Sequence, residues 1–195
     1  MKKKQTVLRV FWILTISLNF CEKGIADDWS LSLYGGVLLK GNLSDGSLLY
    51  SGFEDSYLVA LALAKRVASY KDKIDLELEG QTVKHFKDQD HWEFNGLAAI
   101  RWLPFPWDNH IDTSFAFGAG LSYATETPKV EKRRRGDGQT QSFLSYLMLE
   151  LDFALPKSQH WSLFTRIHHR SGAFGLFNGI TGGSNSWAFG VRYRF

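Results

Sequence analysis

The chain has 195 residues, enough for one domain, and a formal net charge of +3, too small to argue for a nucleic-acid partner. Aromatic residues make up 15%, with 18 Gly but only 4 Pro, a mix that favours many strands and tight turns over helices. Cys21 is the single cysteine, so no disulfide framework or thiol chemistry is available.

The first 26 residues read as a secretory signal peptide. Lys2, Lys3 and Lys4 precede a mostly apolar run over residues 7–20, and Gly24-Ile25-Ala26 offers small residues for cleavage. The expected domain plan is therefore a signal peptide at 1–26 and one exported domain at 27–195.

From Trp29 onward the chain breaks into segments with a period of two, the mark of a strand with two unlike faces. In the first, Trp29, Leu31, Leu33, Val37 and Leu39 oppose Ser30, Ser32 and Tyr34. The second, near residues 57–65, sets Tyr57, Val59, Leu61 and Leu63 against Leu58, Ala60, Ala62 and Ala64. In the third, Ile74, Leu76 and Leu78 alternate with Asp75, Glu77 and Glu79. The fourth places Trp92, Phe94, Ala98, Ile100 and Trp102 opposite Glu93, Asn95 and Arg101, and residues 104–109 then turn the chain. The fifth carries Ile111, Phe115, Phe117, Leu121 and Tyr123 on one face, and the sixth Phe143, Leu147, Leu149, Leu151 and Phe153. The seventh runs from Trp161 through Leu163, Thr165, Ile167, His169 and Ser171, with Phe164, Arg166, His168 and Arg170 opposite. The eighth alternates Trp187, Phe189, Val191, Tyr193 and Phe195 with Ala188, Gly190, Arg192 and Arg194.

Eight such segments predict an all-β fold, an eight-stranded antiparallel transmembrane β-barrel in an up-and-down meander. A soluble, lipocalin-like barrel is the alternative, but it would turn its apolar face inward. Here the polar face holds both charge signs, and a lumen this narrow fills with side chains rather than forming a pore. With both ends periplasmic, the connections after strands one, three, five and seven are outer loops. That after the fifth, at residues 125–141, carries Lys129, Lys132, Arg133, Arg134 and Arg135. Such a cluster suits lipopolysaccharide phosphates, and a solvated loop explains it equally well.

His169 and Ser171 share the parity of Trp161, Leu163 and Ile167, so they face lipid at the outer-leaflet end. A Ser nucleophile with a His base aimed at a lipid ester is the chemistry this pairing suggests; rim residues among headgroups are the bland alternative. His168 reads as part of the inward network. His85 and His91, with Asp88 and Asp90, fall in an outer loop and could bind metal, but no ligand spacing recurs, and no metal or other cofactor is expected. Gly182-Gly183-Ser184-Asn185 reads as a turn. Gly172 would leave room for an acyl chain, although turn geometry accounts for it as well.

His169-Arg170-Ser171, the Gly/Asn-rich stretch after it and the terminal Gly190-Val191-Arg192-Tyr193-Arg194-Phe195 resemble the PagL-type lipid A 3-O-deacylases. That resemblance covers the last two strands closely and the rest in architecture. It implies an outer-membrane barrel with a lipid-facing His/Ser/acid triad that removes the ester-linked 3-position acyl chain of lipid A without a metal. His169 would be the base and Ser171 the nucleophile. No Asp or Glu follows Ser171, so Asn185, on the lipid-facing parity, stands where the family has its acid. The substrate contacts expected are Gly172 and the Arg133, Arg134, Arg135 cluster. The expected partners are lipid A or lipopolysaccharide and outer-membrane lipid, not nucleic acid, with a homodimer left open. The competing reading is a noncatalytic barrel of the same family with a structural or surface-binding role.

Overall fold

The computed structural model describes residues 28–41, 50, 52–134, 140–156, 158 and 160–195. The expected signal peptide and the side chains of Arg134 and Arg135 lie outside what is described.

Eight strands run in chain order: β1 (Trp29–Leu39), β2 (Phe53–Tyr70), β3 (Ile74–Lys87), β4 (Trp92–Trp102), β5 (Asp112–Ala124), β6 (Phe143–Ala154), β7 (Trp161–Ser171) and β8 (Gly183–Arg194). Each pairs antiparallel with the next, and β1 pairs with β8 to close the barrel. Closure leaves no unpaired strand edge, which is what hydrocarbon requires of a spanning sheet. Among the described residues, a short helix, α1 (Lys129–Arg134), and a 3-10 turn at Ala173–Gly175 are the additions.

The side-chain parity matches the alternation of the sequence. Leu78, Ile100, Leu163 and Phe189 on the outer wall are each more than half exposed, whereas Arg166 and Glu150 in the lumen are 1% exposed. Apolar residues turned outward and charges turned inward make this a barrel of the outer membrane, crossing with strands.

The lumen is filled. Glu150 accepts five charge-assisted bonds, from Arg101 Nη2, Arg166 Nε and Nη2, and Arg192 Nη1 and Nη2, at 2.6–3.0 Å. Those guanidinium groups also bind Glu77, Glu79 and Asp152, so each charge is paired. Beside this network the Phe164 ring lies edge-on to Tyr34 at 5.9 Å, and Gly190 makes the space. A Cβ there would sit 2.5–2.6 Å from Tyr34 Cβ, the Leu33 carbonyl and the Phe164 ring.

Three expectations change. β2 and β3 extend well past residues 57–65 and 74–79, so the β3–β4 connection is only residues 88–91, a short hairpin rather than a long loop. His85 consequently lies on β3, not in a loop. Gly183, Ser184 and Asn185 form the start of β8 instead of a turn, the connection being residues 172–182. The remaining end connections agree with the expected topology: residues 71–73, 103–111 and 155–160 lie at one end, and the longer 40–52, 125–142 and 172–182 at the other. Short turns mark the periplasmic end, so β7 rises outward.

Candidate functional site

The outer end of β7 brings the site together through register. Across β8, His169 pairs with Asn185 and Ser171 with Gly183; across β6, His169 pairs with Leu147 and Ser171 with Ser145. Residues opposite one another in an antiparallel pair point to the same side, so Ser145, His169, Ser171 and Asn185 share the outer face. His169 and Ser171 are partly exposed there.

Asn185 carries the most informative geometry. Its Nδ2 donates to the Gly41 carbonyl at 2.9 Å, and its Oδ1 lies 2.5 Å from His169 Nδ1. A carbonyl can only accept, so the Gly41 contact decides which end of the amide faces the imidazole. Oδ1 must then accept from an Nδ1–H. Neutral imidazole carries one ring proton, which leaves Nε2 with a free lone pair, the form a general base needs. Although it has lipid-facing parity, Asn185 is only 2% exposed.

Ser171 is placed differently. Ser145 Oγ donates to the Ser171 carbonyl at 2.7 Å, so at the 3.3 Å contact between the hydroxyls it is Ser171 that donates to Ser145. The Ala173 N–H points at Ser171 Oγ from 3.4 Å. Among the described residues, His169 bonds to Asn185 and not to Ser171. Ser145 was not singled out from sequence. Its signal was a hydroxyl at an otherwise apolar outward position of β6, between Phe143 and Leu147.

The loop after Ser171 is folded tightly on itself. Gly172 donates to the Gly182 carbonyl, and Gly175 and Phe177 donate back to Gly172. A Cβ on Gly172 would fall 1.9 Å from the Ile180 carbonyl oxygen, so backbone packing alone demands glycine there. Ala173 and Phe174 hold positive φ of 48° and 56°, a conformation that costs free energy for residues with a side chain. This turn presents Phe174 and Leu176, which are 98% and 81% exposed.

Arg170, between the two site residues, points inward and anchors the neighbouring loop. It donates to Glu131 on α1 at 2.6 Å, to the carbonyls of Gln141 and Ser142, and to Ser122 Oγ. Glu131 is itself buried and also accepts from Ser184. It is thus a carboxylate near the site that the sequence did not reveal, but it is bound to Arg170 rather than to His169. Arg133 is exposed and donates to Glu54 and Asp88. Its guanidinium already has acidic neighbours, and any phosphate would share it with them.

His168 joins the inward network, contacting Glu93 Oε1 at 2.9 Å through Nε2 and the Tyr146 hydroxyl at 3.1 Å through Nδ1. His91, in the β3–β4 hairpin, is buried, and burial together with the His85 ring beside it pushes its pKa down to about 4. It is therefore neutral at pH 7.

No family model matches the chain, and no curated protein matches it in sequence. Solved structures do share its fold. The outer membrane enzyme PagL is 14% identical with a TM-score of 0.56, over 84% of this chain and 97% of that one. Neisserial surface protein A is 13% identical with a TM-score of 0.52, over 86% of this chain and 96% of that one. At these identities the likeness is one of fold.

Proposed function

We propose that this barrel is an ester hydrolase of the outer leaflet, removing an ester-linked hydroxyacyl chain from lipid A. The observation that carries the reading is the Gly41–Asn185–His169 chain, which fixes a base-competent imidazole on the lipid-facing wall two residues from a serine. A wall residue with no role beyond packing has no need of a carbonyl, an amide and a ring held in series.

In the proposed reaction the Ser171 hydroxyl turns from Ser145 towards His169 Nε2. As Oγ attacks the acyl carbonyl carbon, its proton passes to Nε2 and the carbonyl oxygen becomes an oxyanion. The Ala173 N–H, already directed at Ser171 Oγ, is a backbone donor available for that charge. Collapse breaks the bond to the sugar oxygen, which leaves with the proton from Nε2. Water then attacks the acyl-enzyme, giving its proton to His169 Nε2; collapse breaks the bond to Ser171 Oγ, which takes that proton back as the hydroxy fatty acid is released. Asn185 Oδ1 keeps the Nδ1 proton in place throughout. It offers the developing imidazolium a dipole instead of a charge, so turnover is slower than with a carboxylate there.

Phe174 and Leu176 suit contact with acyl chains, and Lys132 with Arg133 suits headgroup phosphates. A signal peptide ending at residue 26 belongs to the same reading, since the outer membrane is reached by export; a homodimer is not needed for it. The second reading is a noncatalytic wall protein, and the Ser171–Ser145 hydroxyl contact favours it, because it holds the serine away from the base. The mass of lipid A from cells expressing the chain separates the two. Loss of one hydroxyacyl chain, abolished by Ser171→Ala and by His169→Ala, is expected. Unchanged lipid A under strong expression of folded protein leaves the wall protein.

A further inference from the structure

We infer that His85, His91 and Glu93 form a binding site for one divalent transition-metal ion, with zinc the best fit, at the outer mouth of the lumen. Two strands create it. His85 lies near the end of β3 on its inward face, while His91 immediately precedes β4 and Glu93 is the second residue of that strand. The His85 N–H donates to the His91 carbonyl, so the hairpin sets the imidazoles opposite one another, stacked at 4.4 Å. One ligand atom from each of the three residues lies within 4.8 Å of the others, and all three residues are buried.

The hydrogen bonding around the cluster points to a cation. His85 Nε2 sits 2.9 Å from Glu93 Oε2, an arrangement in which a metal can replace the shared proton. His91 is 4% exposed, and its Nε2 has no partner among the described residues. A buried ring nitrogen with nothing to bond to is costly to keep unless something occupies it. Glu93 is also held from outside the cluster, at Oε1, by His168 Nε2 and Ser122 Oγ. Outer contacts of that kind orient a metal's carboxylate ligand. Two imidazoles and one carboxylate select a zinc-like ion over magnesium or calcium, which prefer oxygen. In tetrahedral zinc with bonds of ~2.0–2.1 Å the ligand atoms stand roughly 3.4 Å apart, so binding draws the three groups together and turns the two imidazoles out of their parallel stack until both nitrogens point at the ion. Three protein ligands leave the fourth position to water. Nearby charge is mixed. Arg170 faces the cluster but is neutralised by Glu131, and Asp88 and Asp90 lie at the hairpin tip above it.

The site is independent of the proposed hydrolase, because its residues face the lumen and those of the hydrolase face lipid. Tag-free barrel, folded in detergent and stripped with chelator, is the material for the test, with heat-modifiable gel mobility reporting the fold. Equilibration with zinc and removal of excess should leave one zinc per chain, and cobalt should give the visible absorption of a four-coordinate site. His91→Phe keeps the ring stack but removes the nitrogen, and should weaken zinc at least 100-fold. Glu93→Gln should weaken it too, whereas His110→Ala in the periplasmic turn should leave it unchanged. Failure of folded wild-type protein to retain zinc overturns the inference. So does undiminished retention in folded His91→Phe.

Discussion

Replacing Asn185 with Leu tests the site through a side chain of similar size that makes neither of its hydrogen bonds. In the wild type the amide bridges the Gly41 carbonyl and the His169 Nδ1–H within a position only 2% exposed. The substitution leaves one acceptor and one donor unpaired. Each costs ~1–3 kcal/mol when water cannot reach it. Gly41 is buried and His169 only half so, which places the sum at about 2–4 kcal/mol of barrel stability. The catalytic effect is separate. Without Oδ1 the ring is free to flip and to exchange its proton between nitrogens, and the Nε2 lone pair is no longer guaranteed. Losing that orientation should lower deacylation about 10–100-fold, equivalent to ~1.4–2.8 kcal/mol of barrier. The assay is the rate of hydroxyacyl release from lipid A in vesicles containing folded barrel, by mass spectrometry, alongside urea unfolding followed by gel mobility. A variant that matches wild type in rate per folded molecule refutes the orienting role, even if its stability falls.

Other expectations follow from the same contacts. Glu150→Gln removes the one charge shared by Arg101, Arg166 and Arg192, and should cost ~3–5 kcal/mol in urea unfolding; a loss under ~1 kcal/mol would show that the lumen tolerates the imbalance. Gly172→Ala forces a Cβ against the Ile180 carbonyl and should destabilise the barrel by ~1–3 kcal/mol while shifting the loop that carries Ala173; unchanged stability and activity would contradict the close approach. Asp90→Asn, by contrast, breaks only an exposed pair with Lys84 and should leave the urea unfolding midpoint where it is in the wild type.

The architecture was legible because lipid and lumen impose opposite demands on alternate residues. That signal weakens wherever a strand leaves the hydrocarbon. Above Leu78 the outward positions of β3 become Gly80, Thr82 and Lys84, and the greasy face fades while the backbone ladder to β4 continues as far as Lys84. Alternating apolarity therefore reports the membrane-embedded part of a strand, whereas hydrogen bonding reports its full length. His85 lies in the difference. Reading it as a loop residue concealed that it faces His91 across a hairpin, and with that the cluster they form with Glu93.

The site residues divide along a similar line. His169 and Ser171 could be assigned to one face because they are two apart on one strand, and Asn185 because parity propagates along β8. What parity cannot carry is a contact closed by the barrel. Gly41 meets Asn185 because β1 pairs with β8, across 144 positions of sequence, and Ser145 meets Ser171 only through the β6–β7 register. The first of these contacts bears on the chemistry. An amide in place of an acid is normally a poor partner for imidazole because it can present its NH₂ and impose the wrong tautomer. Here the Gly41 carbonyl claims that NH₂, so in the proposed hydrolase what an amide forfeits relative to an acid is charge and not orientation. Asn185→Asp restores the charge but sets a carboxylate oxygen against the same carbonyl, and the two effects oppose one another. The position thus suits an amide as it is built, and under the proposed hydrolysis a faster rate would need changes on both sides of that contact.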